Sequence, residues 1–302
     1  DENGYYSMGS KFRIGPHYAV VFDNSQGFTI WGNWGPFAAA NYNMGWHSKG
    51  GHDRTFGTNA KAWDWCSVNN AGFEYYQNAK KDGIGLPPHN PRIWVFRHQS
   101  NASCAPMLRR VWHPIGYSSN SGWSNFFINI TAGRLLTYTN TLLKFALPDI
   151  VIGTGGGYNT YDIYESVNHE LSHASHFNKV GSAFWAKYVN YIITYGKKYD
   201  HPYGDASCNN SGFCGVGEMW GYAMGYIRTY EKYQQKPKNG QSKWFQPNLL
   251  YDLMTEKILT KKQIFDCLSS DVTSHALLKQ KMISRYPSKK DSIIAKFSRY
   301  GF

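Results

Sequence analysis

The chain has 302 residues, with 32 Lys and Arg against 20 Asp and Glu, a formal charge of +12, and 42% hydrophobic and 17% aromatic residues. This length supports one large domain or two smaller ones with ample core, and no apolar run approaches the ~20 residues of a membrane-spanning helix. The basic residues are dispersed and build no nucleic-acid motif, so the charge reads as a solvated surface and no nucleic-acid partner is expected.

The chain opens Asp1-Glu2-Asn3-Gly4, with neither a Met nor a charged-then-apolar leader. It therefore reads as a mature form whose export signal has been removed, secreted or held at the cell envelope, and monomeric. Of the cysteines, Cys208 and Cys214 bracket a short polar loop and suit a local disulfide, and Cys66 and Cys104 offer a second pair. Cys267 reads as a buried free thiol.

Residues 1–60 are rich in Gly, Asn and aromatics and read as a β-rich extension or lobe, with strands at His17–Phe22 and Gly27–Trp31 and a loop over 41–59. From 61 onwards the pattern changes. Ser67 is placed to cap a helix running to Gly83, a Pro-rich connector follows, and Arg92–Arg97 reads as a buried strand. Residues 99–125 read as loop, 126–130 as strand and 134–145 as helix. Asp149–Gly153 is a short strand running into a glycine loop. No G-x-G-x-x-G and no Gly-Lys-Ser/Thr can be drawn there, so a nucleotide site is not expected. Asn159, with Asp162 three residues on, then caps the next helix. Further helices are expected over 183–195, 218–235, 249–259, 261–268 and 274–283. The whole predicts an α+β fold, with domain 61–302 holding a mixed-sheet lobe, an active-site helix and a mainly helical C-terminal lobe.

The chemistry centres on Tyr164–Asn178, which contains His169-Glu170-Leu171-Ser172-His173, an H-E-x-x-H pattern. On a helix, positions i and i+4 share a face one turn apart, so His169 and His173 can grip one Zn²⁺ with Glu170 beside it as general base. Tyr164, Val167, Leu171 and Ala174 form an apolar stripe on the other side from His169, His173 and His176.

A catalytic zinc usually takes a third protein ligand. The candidates downstream are His176, Asp200, His201, Asp205, Glu218, Glu231, Glu256 and His275. His176 lies about 10.5 Å along the helix from His169, too far for one metal to take all three from a straight helix. Glu218 is preferred: it sits among Gly217, Met219, Trp220 and Gly221, where an unpaired carboxylate would be costly to bury. Small residues at every third or fourth position there favour close helix packing.

With His169, Glu170, His173 and Glu218 the chain resembles the zincin metallopeptidases, and among them the gluzincin kind, over roughly 149–225. The resemblance implies zinc-dependent hydrolysis of a peptide or protein substrate. It also implies an edge strand ahead of the active helix, a part that the strand near Ile150–Ile152 would fill by holding extended substrate. A Tyr or His donor at the oxyanion is implied too, for which Tyr222, Tyr226 and His201 are candidates. His176 would border the site or lie on a wet surface, and Glu165 would orient a ligand or lie exposed. The alternatives are an inactive binding or adhesion module and a structural zinc site; neither role needs Glu170.

Overall fold

Strands in the first hundred residues form on short runs of β-branched and aromatic residues. In the computed structural model, which describes residues 7, 11–32, 38–97, 103–115, 148–199, 203–235 and 243–302, β1 (His17–Val21) pairs antiparallel with β4 (Asn41–Trp46) as a separate two-stranded ribbon. Strands β2 (Asp23–Asn24) and β3 (Phe28–Trp31) make a hairpin. Strand β3 runs parallel to β5 (Arg92–Phe96), which runs parallel to β6 (Ile150–Gly153). The main sheet is thus mixed, in the order β2-β3-β5-β6, and with the helical second half it gives the expected α+β class.

Two of these four strands come from the first 60 residues, so a boundary at residue 60 passes through the main sheet. Phe28 and Ile30 are fully buried in one core with Ile93 and Ile152. Shared burial on a sheet face decides where these strands belong, and the Gly- and Asn-rich composition around them does not show it. The strand β4 falls in the stretch 41–59 read as loop. Helix α1 (Lys61–Asp82) begins before Ser67, because Ala62, Trp65 and Val68 continue its buried stripe; it ends at Gly83 with φ 68°. Helix α2 (Leu108–Ile115) lies in another stretch read as loop. The expected strand 126–130 and helix 134–145 lie outside the described residues.

Helix α3 (Thr160–Val180) carries the H-E-x-x-H residues and starts as the sequence indicates. The Asn159 side chain accepts from Tyr161 N at 2.8 Å and Asp162 N at 3.1 Å, while Asp162 accepts from Asn159 N at 3.2 Å. After it come α4 (Ser182–Tyr199), α5 (Ser211–Tyr233), α6 (Asn248–Thr255), α7 (Lys261–Cys267), α8 (His275–Arg285) and α9 (Lys290–Arg299). None of the described helices is long and apolar enough to cross a membrane. Helix α3 packs on α1, α4, α5 and β6. Two buried polar bonds fix its rotation: Tyr75 and Ser175 hydroxyls meet at 2.7 Å, and Trp220 Nε1 donates to Ser172 O at 3.1 Å.

Two expectations are corrected here. The outer edge of β6 is not open to a substrate strand at Val151, because Cys104 takes both its N–H and its C=O at 2.8 and 3.0 Å. The buried Asp149 holds that covering segment in place by accepting from Arg109 at 2.8 Å and Arg110 at 3.2 Å. The expected disulfides are also not formed, since all five cysteines are free thiols. Cys214 points into the core from the first turn of α5, whereas Cys208 lies half-buried beside Asp205.

Candidate metal centre

Helix α3 is buried on both sides: every residue from Val167 to Phe177 is shielded, including the whole H-E-x-x-H stretch. The apolar stripe meets the core as expected. The histidine face is covered by α5 and α4 in place of solvent.

What lets α5 approach α3 so closely is the absence of side chains at Gly221 and Gly225, while Gly217 faces Tyr188 on α4. A Cβ on Gly221 would stand 2.6 Å from His173 Nε2 and 3.2 Å from His169 Cε1, and one on Gly225 would stand 3.2 Å from Glu165 O. The first separation is impossible for a real side chain without displacing the imidazole. This glycine spacing therefore sets the distance from α5 to both rings.

That approach delivers Glu218 to the histidines. The Nε2 atoms of His169 and His173 are 2.9 Å apart, and Glu218 Oε2 lies 3.5 Å from the first and 3.6 Å from the second. Glu170 Oε1 is 3.8 Å from His169 Nε2. The second oxygen of Glu218 accepts a hydrogen bond from the Tyr188 hydroxyl on α4, which turns Oε2 towards the rings.

These residues fit a divalent metal. Glu218 Oε2 and Glu170 Oε2 are buried without a hydrogen-bond partner, a costly state that a cation among them would relieve. Donor bonds of 2.0–2.2 Å in a tetrahedral shell require donors about 3.3 Å apart, and the separations among the two Nε2 atoms and Glu218 Oε2 bracket that spacing. His169, Glu170 and His173 also group within 4.8 Å, but Glu170 follows His169 directly on the helix and its free oxygen is better placed as a base.

The electrostatics separate the two carboxylates. Burial, then the charge of Glu218, raises the Glu170 carboxyl well above its ordinary value. Burial pushes Glu218 the same way, but the neighbouring His173 and His169 outweigh it and hold Glu218 below the carboxylate range. Burial and the neighbouring His173 lower His169 to about 4, leaving a neutral imidazole as a metal ligand requires. The two buried carboxyls are thus driven apart, Glu218 towards its ionised form and Glu170 towards its protonated form.

Of the other expected residues, Tyr222 reaches the site: its ring meets His169 edge-on at 4.3 Å, and its hydroxyl pairs with Tyr203 at 2.8 Å. His201 and Asp200 lie outside the described residues. Tyr226 packs 5.9 Å from the Tyr222 ring. His176 borders no wet surface: it is fully buried against Phe184 and Trp185, because α4 folds back over that side of α3. Glu231 and Glu256 pair with Lys261 and Lys296, and His275 stacks on Phe302.

Sequence reasoning missed Tyr188 and Tyr203. Tyr188 reads as a core aromatic, which it is. The overlooked signal is its hydroxyl, which needs a partner once the ring is buried. Against known proteins, no family model, no curated protein and no solved structure matches this chain.

Proposed function

We propose that the protein is a zinc-dependent peptidase in which His169, His173 and Glu218 bind the metal and Glu170 is the general base. The observation that carries the reading is Glu218 Oε2 set 3.5 and 3.6 Å from two facing imidazole nitrogens, with Glu170 alongside. Two imidazoles and one carboxylate leave a fourth position open, as in catalytic rather than closed structural zinc sites.

Zinc held there would supply Lewis acidity and lower the pKa of a water molecule. Glu170 takes the proton of the attacking water and returns it to the departing amine. Tyr188 keeps Glu218 oriented, as outer-shell partners of ligands do. Tyr222, with its ring on His169, is the nearest described candidate to donate to the developing oxyanion.

The test is metal content of the protein purified without added metal or chelator, followed by digestion of a mixed peptide pool. About one zinc per chain and cleavage of the pool are expected. In Glu170→Gln the zinc should stay while cleavage falls about 10²- to 10⁴-fold. A protein that takes up no zinc on titration, or a Glu170→Gln variant that cleaves as before, overturns the reading.

A further inference from the structure

Outside the proposed ligands, one charged side chain near the centre lacks a charged partner. Lys243 is half-buried, and its ammonium stands 4.9 Å from the ring centroids of both Tyr203 and Tyr222. Among the described residues it forms no ion pair. By contrast, the half-buried Lys261 pairs with Asp82 and Glu231 and the buried Lys296 with Asp252 and Glu256, while the half-buried Lys179 donates to Phe265 O.

The cation is fixed from two directions. Trp244, next in the chain, donates to Tyr203 O at 2.9 Å, and Phe245 stacks on Tyr222 at 5.8 Å. Tyr203 and Tyr222 are joined through their hydroxyls. Lys243 therefore rides on a rigid aromatic platform whose other end is His169, 4.3 Å from Tyr222.

Two tyrosine faces stabilise an ammonium only modestly and leave its N–H donors available to an anion. Among the parts of a peptide, the one fixed anion common to all sequences is the C-terminal carboxylate. In a peptide the carboxylate of the last residue lies about 4 to 5 Å from the preceding carbonyl carbon, by standard backbone dimensions. The Lys243 ammonium and the His169 ring both lie against Tyr222, 4.9 and 4.3 Å from its centroid, which puts the cation on the same side chain that borders a proposed ligand.

We infer that Lys243, on its Tyr203–Tyr222 platform, binds the C-terminal carboxylate of the substrate, making the enzyme a carboxypeptidase that releases single C-terminal amino acids. The inference rests on the peptidase reading above. In the reaction the last C–N bond breaks and a C–O bond forms from water. The proton taken by Glu170 ends on the departing amine, so the products are a free amino acid and a peptide with a new carboxylate.

The test uses a pool of N-acetylated tripeptides with free C-termini and the same pool amidated, on native protein, Lys243→Gln and Lys243→Arg. Cleavage is followed by mass spectrometry, and binding by calorimetry on Glu170→Gln and on metal-free native protein. Native protein should prefer the free acids by about 10- to 100-fold, the range expected for losing a charge-assisted bond. Lys243→Gln should abolish that preference with zinc content unchanged, and Lys243→Arg should retain most of it. Equal handling of acids and amides by native protein overturns the inference, as does a preference that survives in Lys243→Gln. Equal loss of cleavage on both pools in Lys243→Gln also overturns it, since that assigns Lys243 to the oxyanion. Absent zinc and absent cleavage of every pool would sink the peptidase reading instead, and the metal-free binding preference would still judge Lys243.

Discussion

The α3–α5 helix pair and the β1–β4 ribbon treat their side chains in opposite ways. Between the helices, His169, Glu170, His173 and Glu218 are buried although each would be better solvated in water. On the ribbon, Val21 and Trp46 stand 55% and 68% exposed although each would be better buried. An isolated two-stranded ribbon contributes little stability of its own. The helix pair is where the molecule tolerates a large desolvation cost, and a cost of that kind marks chemistry more reliably than an exposed Trp does.

Substitutions should therefore have very unequal consequences in the two regions. Removing Glu218 takes away one of three proposed ligands, and Glu218→Ala should lower zinc affinity at least 100-fold in a chelator competition assay. Unchanged affinity would move the third ligand elsewhere. Gly221→Ala puts a methyl group 2.6 Å from His173 Nε2, so it should cost about 1–3 kcal/mol in urea unfolding and loosen zinc as well. A fully stable variant with native zinc affinity would show that the close approach of α5 is not needed.

A smaller effect is expected from His176, which burial and the neighbouring His173 hold at about 3, and His275 is lowered to about 4, chiefly by burial. Their unfolded values are near 6.5, so between about pH 6.5 and 4 the unfolded chain binds more protons and stability falls as the pH is lowered. His176→Leu should flatten that fall in the metal-free protein by up to about 1.4 kcal/mol per pH unit. An unaltered slope would mean that His176 does not titrate with unfolding. Least of all, Trp46→Ser on the ribbon should change stability by less than about 0.5 kcal/mol. A large loss there would show that the ribbon supports the core.

How legible each part was follows from the range of the forces involved. The cap at Asn159 and Asp162 and the stop at Gly83 depend on residues within a few positions of one another, and the sequence placed them correctly. Strand β4 was missed because one face of a half-exposed ribbon gives only a weak alternation. Helix α5 was expected to start at Glu218 but begins at Ser211; glycines at 212, 215 and 217 hide a helix whose stability comes from packing.

By itself, the sequence determined that His169 and His173 share a helix face with Glu170 beside the first, because 3.6 residues per turn leaves no other arrangement. It also favoured Glu218, because a carboxylate among Gly, Met and Trp implies a buried partner. Only the tertiary structure decided that α5 lies close enough to bring Glu218 to both rings, that Tyr188 aims it, and that Cys104 covers Val151. The same holds for Lys243 over the paired tyrosines near His169. Those contacts join residues 21 to 49 positions apart, and such distances are set by how whole elements pack, which no local pattern encodes.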